Sequence, residues 1–297
     1  MANMQNEILN TFKKGSMLTK VIFINVAIFL IVAIIGIFNE DFYQYLCVPG
    51  DFKSLKYQPW SIVTYMFLHT SFWHLLMNLL WVFWFGKMFL LYFNGKQYLA
   101  VYLLGGFAGV FLHLTVYYLL QNTNPSYMLG ASAAAMSVAF AVAAYKPDFV
   151  IHLLFIGPVK IKYLVLVVFI LDVLGLAGNM KNDMTGSDGV AHIAHMGGSF
   201  FGLWFGYRMR NGKDITRKFN NFLNNIFTFF SSDKSKQAKQ NMKVKKDKFS
   251  KPKSDWEYNR DKADDQKEID RILDKISKNG YDSLSKSEKE FLFNQKK

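Results

Sequence analysis

Gly130-Ala131-Ser132-Ala133-Ala134-Ala135-Met136-Ser137-Val138-Ala139-Phe140-Ala141-Val142-Ala143-Ala144-Tyr145 carries no charge, and half of it is alanine. It is shorter than the roughly 20 residues a spanning helix needs. Its small side chains offer little bulk to lipid, so it belongs inside a bundle, where small residues let backbones approach. Ser132 stands at its start. Some sixty residues later, Ala194-His195-Met196-Gly197-Gly198 lies in another apolar stretch. A hydroxyl and an imidazole are costly in hydrocarbon. Each placed beside small residues, they suggest a serine nucleophile and its base inside a membrane.

Outward from this run, residues 18–208 alternate apolar segments with short polar loops, whereas residues 211–297 are polar and lysine-rich. The 51% hydrophobic content does not separate a membrane protein from a soluble one, but this segregation does. Six segments stand out: 18–38, 72–92, 97–120, 130–145, 160–178 and 189–209. Helices are the only open-ended structures that satisfy the backbone in lipid. The expected fold is therefore all-α, a polytopic six-transmembrane-helix bundle with a polar C-terminal cytoplasmic tail. The first segment has one charge, Lys20, at its edge, and no small-residue cleavage site follows it. It reads as a retained anchor rather than a signal peptide. The loops set orientation. Residues 39–60 and 179–189 each carry net −1, while 145–162 carry +2 and 208–218 carry +4. Both termini are expected in the cytoplasm. The overall +13 is then mainly a topology signal, and no nucleic-acid partner is inferred from it. With no organelle-targeting segment visible, the expected location is the bacterial plasma membrane.

His74 and Asn78, four residues apart in the second segment, share a helix face. They could form a polar pocket or simply bond neighbouring helices as packing glue. His69 precedes the helix and is expected at the membrane surface. In the last segment Gly198, Gly202 and Gly206 form a close-packing stripe, with His195 one turn before it. Ala131, Ala135 and Ala139 offer a matching small face on the fourth segment. A serine hydroxyl is a weak nucleophile and needs a base in reach, and His195 could serve and later protonate the leaving amine. The oxyanion needs donors placed in advance. The Ser132 N–H at a helix start, with His74 and Asn78, could supply them.

Together these residues resemble the rhomboid family of intramembrane serine proteases over residues 60–206. The resemblance rests on His69, His74 and Asn78 at their spacing, on Gly130-Ala131-Ser132, and on His195 followed by Gly198 and Gly202. Phe85-Gly86 and Gly105-Gly106 also match the family's helix-packing positions. The resemblance implies a serine–histidine dyad that cleaves transmembrane substrates without a third acid. Ser132 would be nucleophile, His195 base, and His74, Asn78 and the Ser132 N–H oxyanion donors. His69, Gly130, Met136, His192, Gly198 and Gly202 would support them. The chain departs from the pattern in four places. Ala133 stands for a common Gly, and Met136 for an aromatic that packs on the histidine. Ser61 stands for an Arg in the outer loop, and Leu90 for a Glu near the inner end of the second helix. Asp172, an acid within the fifth segment, is a candidate orienting partner for His195. Lys87 lies near a segment end from which it can snorkel.

A catalytically inactive member that binds membrane proteins and controls their fate is the alternative. A proton-relay transporter would need polar residues on more segments. No HExxH or CxxC occurs, so neither metal nor cofactor is expected, and the single Cys47 reads as a small apolar residue. The divisions read from the sequence are a cytoplasmic N-terminus (1–17), the membrane domain (18–210), an amphipathic juxtamembrane helix (211–232), a basic disordered linker (233–264) and a small helical module (265–297). In the juxtamembrane helix, Phe219, Phe222, Leu223, Ile226, Phe227 and Phe230 share a face suited to the inner leaflet. In the last module Ile269, Ile272, Leu273 and Ile276 form one amphipathic helix, stopped at Asn279-Gly280. Ser285 to Glu288 is a capping box opening a second helix, with Phe291 and Leu292. Two such helices are small for independent stability, so a cytoplasmic partner or self-association is expected there.

Overall fold

A computed structural model describes residues 2–119, 127–153, 156–179 and 187–230, and in the tail 269–272, 274–276, 283–285 and 287–289. The chain divides into two compact units, Met1–Ser231 and Ser232–Lys297.

Among its described residues, the first unit's regular structure is helical apart from two short ribbons. A polar helix α1 (Ala2–Lys14), not anticipated from the sequence, precedes α2 (Met17–Gly36). The connection 37–71 is a folded unit rather than an open loop. It holds a 3₁₀ turn (Glu40–Leu46), strand β1 (Val48–Pro49) and short helices α3 (Phe52–Leu55) and α4 (Ser61–Thr64). Then follow α5 (Phe72–Leu90), α6 (Gly95–Leu119), β2 (Tyr127–Met128), α7 (Ser132–Tyr145), the hairpin β3 (Val150–Leu153) and β4 (Gly157–Lys160), α8 (Ile161–Asn179), α9 (Ser187–Arg210) and α10 (Arg217–Phe230). Every one of the six apolar segments is a helix, with ends within three residues of those expected. Among the described residues, α2, α5 and α6 are long and apolar enough to cross a membrane.

Caps explain several starts. Ser16 and Ser71 accept from the N–H groups of Thr19 and His74 at the heads of α2 and α5. Asn94 and Gln97 cap α6 reciprocally, Asn94 Oδ1 accepting from Gln97 N–H and Gln97 Oε1 from Asn94 N–H.

The centre is α6, α7 and α9, brought together by glycines. A Cβ on Gly198, Gly202 or Gly206 would run into the carbonyls of Ala133, Ser137 or Ala141. The face of α7 that meets the glycine stripe is therefore Ala133, Ser137 and Ala141, not the expected Ala131, Ala135 and Ala139. Both rows are small and buried, so side-chain size alone does not select between them. On the other flank of α9, a Cβ on Gly197 would lie 2.8 Å from the Gly109 Cα of α6. Hydroxyls tie the same helices. Ser137 Oγ donates to Val101 O at 2.8 Å, and Tyr65 Oη to Gly106 O at 2.8 Å. The departure at Ala133 is accommodated in this packing, because its methyl faces Gly109. α10 packs Phe219 edge-on against Phe107 of α6, and Gln97 donates to Asp214 just before it.

In the second unit, the capping box forms. Ser285 Oγ accepts from the Glu288 N–H at 3.3 Å, and Glu288 Oε2 from the Ser285 N–H at 2.8 Å. Lys275 and Arg271 bind the same carboxylate, and with these partners it stays charged down to about 2. Ile272 and Leu284 are buried there. Leu273, Asn279, Gly280, Phe291, Leu292 and the linker 233–264 lie outside the described residues.

Candidate active site

Ser132 is the first residue of α7, and the chain is steered into it from three sides. β1 pairs antiparallel with β2, Val48 opposite Met128, so the 37–71 connection holds the approach to the helix. The Gly130 N–H donates to Tyr65 O at 2.9 Å. Gly130 itself turns with φ +114°, a conformation open to glycine and strained for other residues. Ala131 then makes the N-terminal cap position without a side-chain cap, which leaves the first N–H groups of α7, including that of Ser132, without helical acceptors. The connection is fastened in turn by Trp60 Nε1 to Tyr45 O, Thr64 Oγ1 to Leu46 O and Gln58 Nε2 to Cys47 O. Ser61, one of the departures, is fully buried beside these ties.

A cavity of about 450 Å³ opens over Ser132, and Gly130, His74, Asn78, Thr70 and His195 share its wall. Three helices, α5, α7 and α9, thus bring together the hydroxyl, two imidazoles and a carboxamide that the sequence placed up to about 120 residues apart. His74 Nε2 would lie 3.1 Å from a Cβ on Gly130, and Ser132 Oγ 3.7 Å from the same point, so both atoms border the space beside Gly130. His74 Nδ1 is 3.3 Å from the Thr70 hydroxyl. If that hydroxyl donates, Nε2 carries the ring proton and can donate into the cavity. Asn78 Nδ2 donates one hydrogen to His74 O at 2.9 Å, keeping its second available.

His69 is packed within the protein rather than open to solvent. It is 7% exposed and meets the His74 ring edge-on at 5.1 Å, buttressing it. Burial pushes its ring down to about 4, so it is neutral at physiological pH. Met136 is buried in α7 and is not among the cavity-lining residues. Gly198 and Gly202 serve the α7–α9 contact.

His195 is held through its Nδ1 nitrogen. Its Nδ1 lies 2.9 Å from Asp172 Oδ1 of α8, and His192 Nδ1 approaches the same oxygen at 2.8 Å. The three side chains offer ligand atoms within 4.8 Å of one another, a set that could also hold a metal ion. Reading the sequence missed the parts played by Thr70, Tyr65 and the β1–β2 pairing. It also passed over His113, which is buried in α6 away from the cavity, with its ring 5.9 Å from Tyr117.

A cavity holding serine, histidine and asparagine side chains, cut into a glycine-packed helical bundle with the serine at a helix head, defines a class of membrane protein that sequence comparison then identifies. The profile of the rhomboid domain matches residues 56–212, more than half of the chain. The chain belongs to the rhomboid family. It is 32% identical over 163 residues to Rhomboid-related protein 1 of Caenorhabditis elegans; the match covers 54% of this chain and 43% of that protein. The chain thus spans less than half the length of that curated relative. A family of unknown function, DUF6576, matches residues 254–294 of the tail.

Proposed function

We propose that this chain is an intramembrane serine endopeptidase that hydrolyses peptide bonds in or near transmembrane segments of membrane proteins. The observation that carries the reading is that Ser132, His195, His74 and Asn78 line one cavity. Ser132 Oγ attacks the scissile carbonyl carbon while His195 Nε2 takes its proton. The negative oxygen is received by the Ser132 N–H, the second Asn78 N–H and His74 Nε2–H. His195 then gives the proton to the departing amide nitrogen, and the C–N bond breaks. Water attacks the acyl-enzyme as His195 takes its proton, and His195 returns that proton to Ser132 Oγ as the ester C–O bond breaks and the carboxylic acid product leaves. Substrate helices must open locally to present a peptide bond, so residues of poor helix propensity should favour cleavage.

The six helices α2 and α5–α9 would all cross the bilayer, with both termini cytoplasmic and the cavity toward the outer face, in a bacterial plasma membrane. α10 would lie along the inner leaflet, and the tail module would bind a cytoplasmic partner or a second copy. Labelling with a fluorophosphonate probe tests the chemistry without a known substrate. Wild type is expected to react, and Ser132→Ala and His195→Ala to remain silent. Wild type labelled no better than Ser132→Ala, with a transmembrane reporter left uncut, would instead favour an inactive member that binds membrane proteins.

A further inference from the structure

We propose that Asp172 is a positioning residue for the histidine base: from α8, one carboxylate oxygen fixes the ring of His195 and is itself held by His192. This rests on the protease reading above and adds to it a residue that a serine–histidine dyad does not require.

Asp172 is the one acidic residue of α8, and it is 5% exposed. A carboxylate on an otherwise apolar helix survives burial only with close partners. Its Oδ1 has two, at 2.8 and 2.9 Å, and Oδ2 has none among the described residues. Among the described residues the charge is therefore answered by the two imidazoles. An ionised carboxylate can only accept, so each hydrogen bond requires a proton on Nδ1 of the ring that makes it. For a neutral His195 this leaves the Nε2 lone pair free, the form a base toward Ser132 needs. When His195 takes the serine proton, the same oxygen faces an imidazolium, and the pair gains a charge-assisted bond at the step where positive charge appears.

The two rings stand perpendicular, centroids 6.1 Å apart, so they reach one oxygen from different directions. Room for this is made on α8 itself. One turn beyond Asp172, a Cβ on Gly175 would run into the His192 ring. The spacing Asp172 to Gly175 on α8 thus matches His192 to His195 on α9, and His192 acts as the brace that stops the carboxylate rotating away.

The test uses the full-length chain in liposomes, comparing wild type with Asp172→Asn and Asp172→Ala. It reads the fluorophosphonate labelling rate at Ser132, kcat and KM on a transmembrane reporter, and the ¹⁵N spectrum of the His195 ring. Labelling rate and kcat are expected to fall, by up to about 10⁴-fold where the wrong tautomer takes over, with KM little changed. The ring should pass from the Nδ1–H toward the Nε2–H form. Formate should restore part of the rate to Asp172→Ala. A variant that labels at the wild-type rate and keeps Nδ1–H overturns the proposal. So does one whose folded fraction, measured by thermal melting, labels normally, since Asp172 would then merely tie α8 to α9. Should wild type itself resist labelling, the protease reading fails and the ring spectrum alone decides about Asp172. If neither Asp172 variant folds, His192→Ala carries the test. It is expected to slow labelling with the tautomer partly preserved, and an unaltered rate would sink the idea.

Discussion

α7 and α8 are neighbours in sequence and opposites in construction. On α7 every residue from Ala133 to Ala143 is buried. On α8, Leu166, Val167, Ile170, Leu171, Val173 and Leu174 all face outward, and Asp172 is one of few buried side chains. α7 is held by backbone against backbone, which tolerates no added atom. α8 is held at its inward face by a directional contact, Asp172 on two histidines. Under the proposed function, the nucleophile sits on the more buried of these two helices and the support of the base on the more exposed one. Such a bundle would fix its reacting hydroxyl through shape, and the orientation of its base through charge.

The severest challenge to this contrast is Gly202→Leu, which would drive a side chain into the Ser137 carbonyl. Overpacking against rigid backbone should cost about 3 kcal/mol or more, seen as loss of a cooperative thermal melt in detergent. A melt near wild type would show that α7 and α9 can separate cheaply. Next in size is Gly130→Ala, which strains a φ of +114° and pushes toward His74. Roughly 1–3 kcal/mol of stability should go, with labelling at Ser132 lost in the protein that remains folded. On α8, Leu171→Ala should change stability by less than about 0.5 kcal/mol, as for an outward-facing side chain; a larger drop in the melting temperature would mean α8 is packed like α7. Smallest is the effect of Asp148, in the β3–β4 link between the two helices. Lys162 and Lys160 hold its carboxyl down to about 2. A depressed carboxylate stabilises the fold at pH values above its unfolded pKa, and that contribution fades as pH falls toward 2. Being exposed, the pair should matter little. Wild type and Asp148→Asn melting curves should differ slightly at pH 6 and converge near pH 2.

The six helices were legible because long apolar runs between polar loops leave the chain little choice in lipid. The site residues Ser132, His195, His74 and Asn78 were legible as polar side chains placed against that background. What could not be read was register. α7 carries two rows of small residues, so no periodicity distinguishes Ala131, Ala135 and Ala139 from the face that meets the glycines. The β1–β2 pairing joins two-residue strands 80 positions apart, too short for alternation to show. Asp172 stood out as an acid in an apolar segment, but its sharing between His192 and His195 depends on how α8 is rotated against α9. His69 shows the same limit, since a histidine ahead of a helix carries no sign that its ring will pack edge-on against that of His74.

The Cys47 thiol is wholly buried within that connection, and burial pushes it up to about 12. At neutral pH it supplies almost no thiolate, the form that alkylating reagents attack. Toward maleimide chemistry the folded chain therefore behaves as if it had no cysteine at all. A spin label or fluorophore installed at an outward position of α8 such as Leu174 would report from that one address, without any rebuilding of the native background.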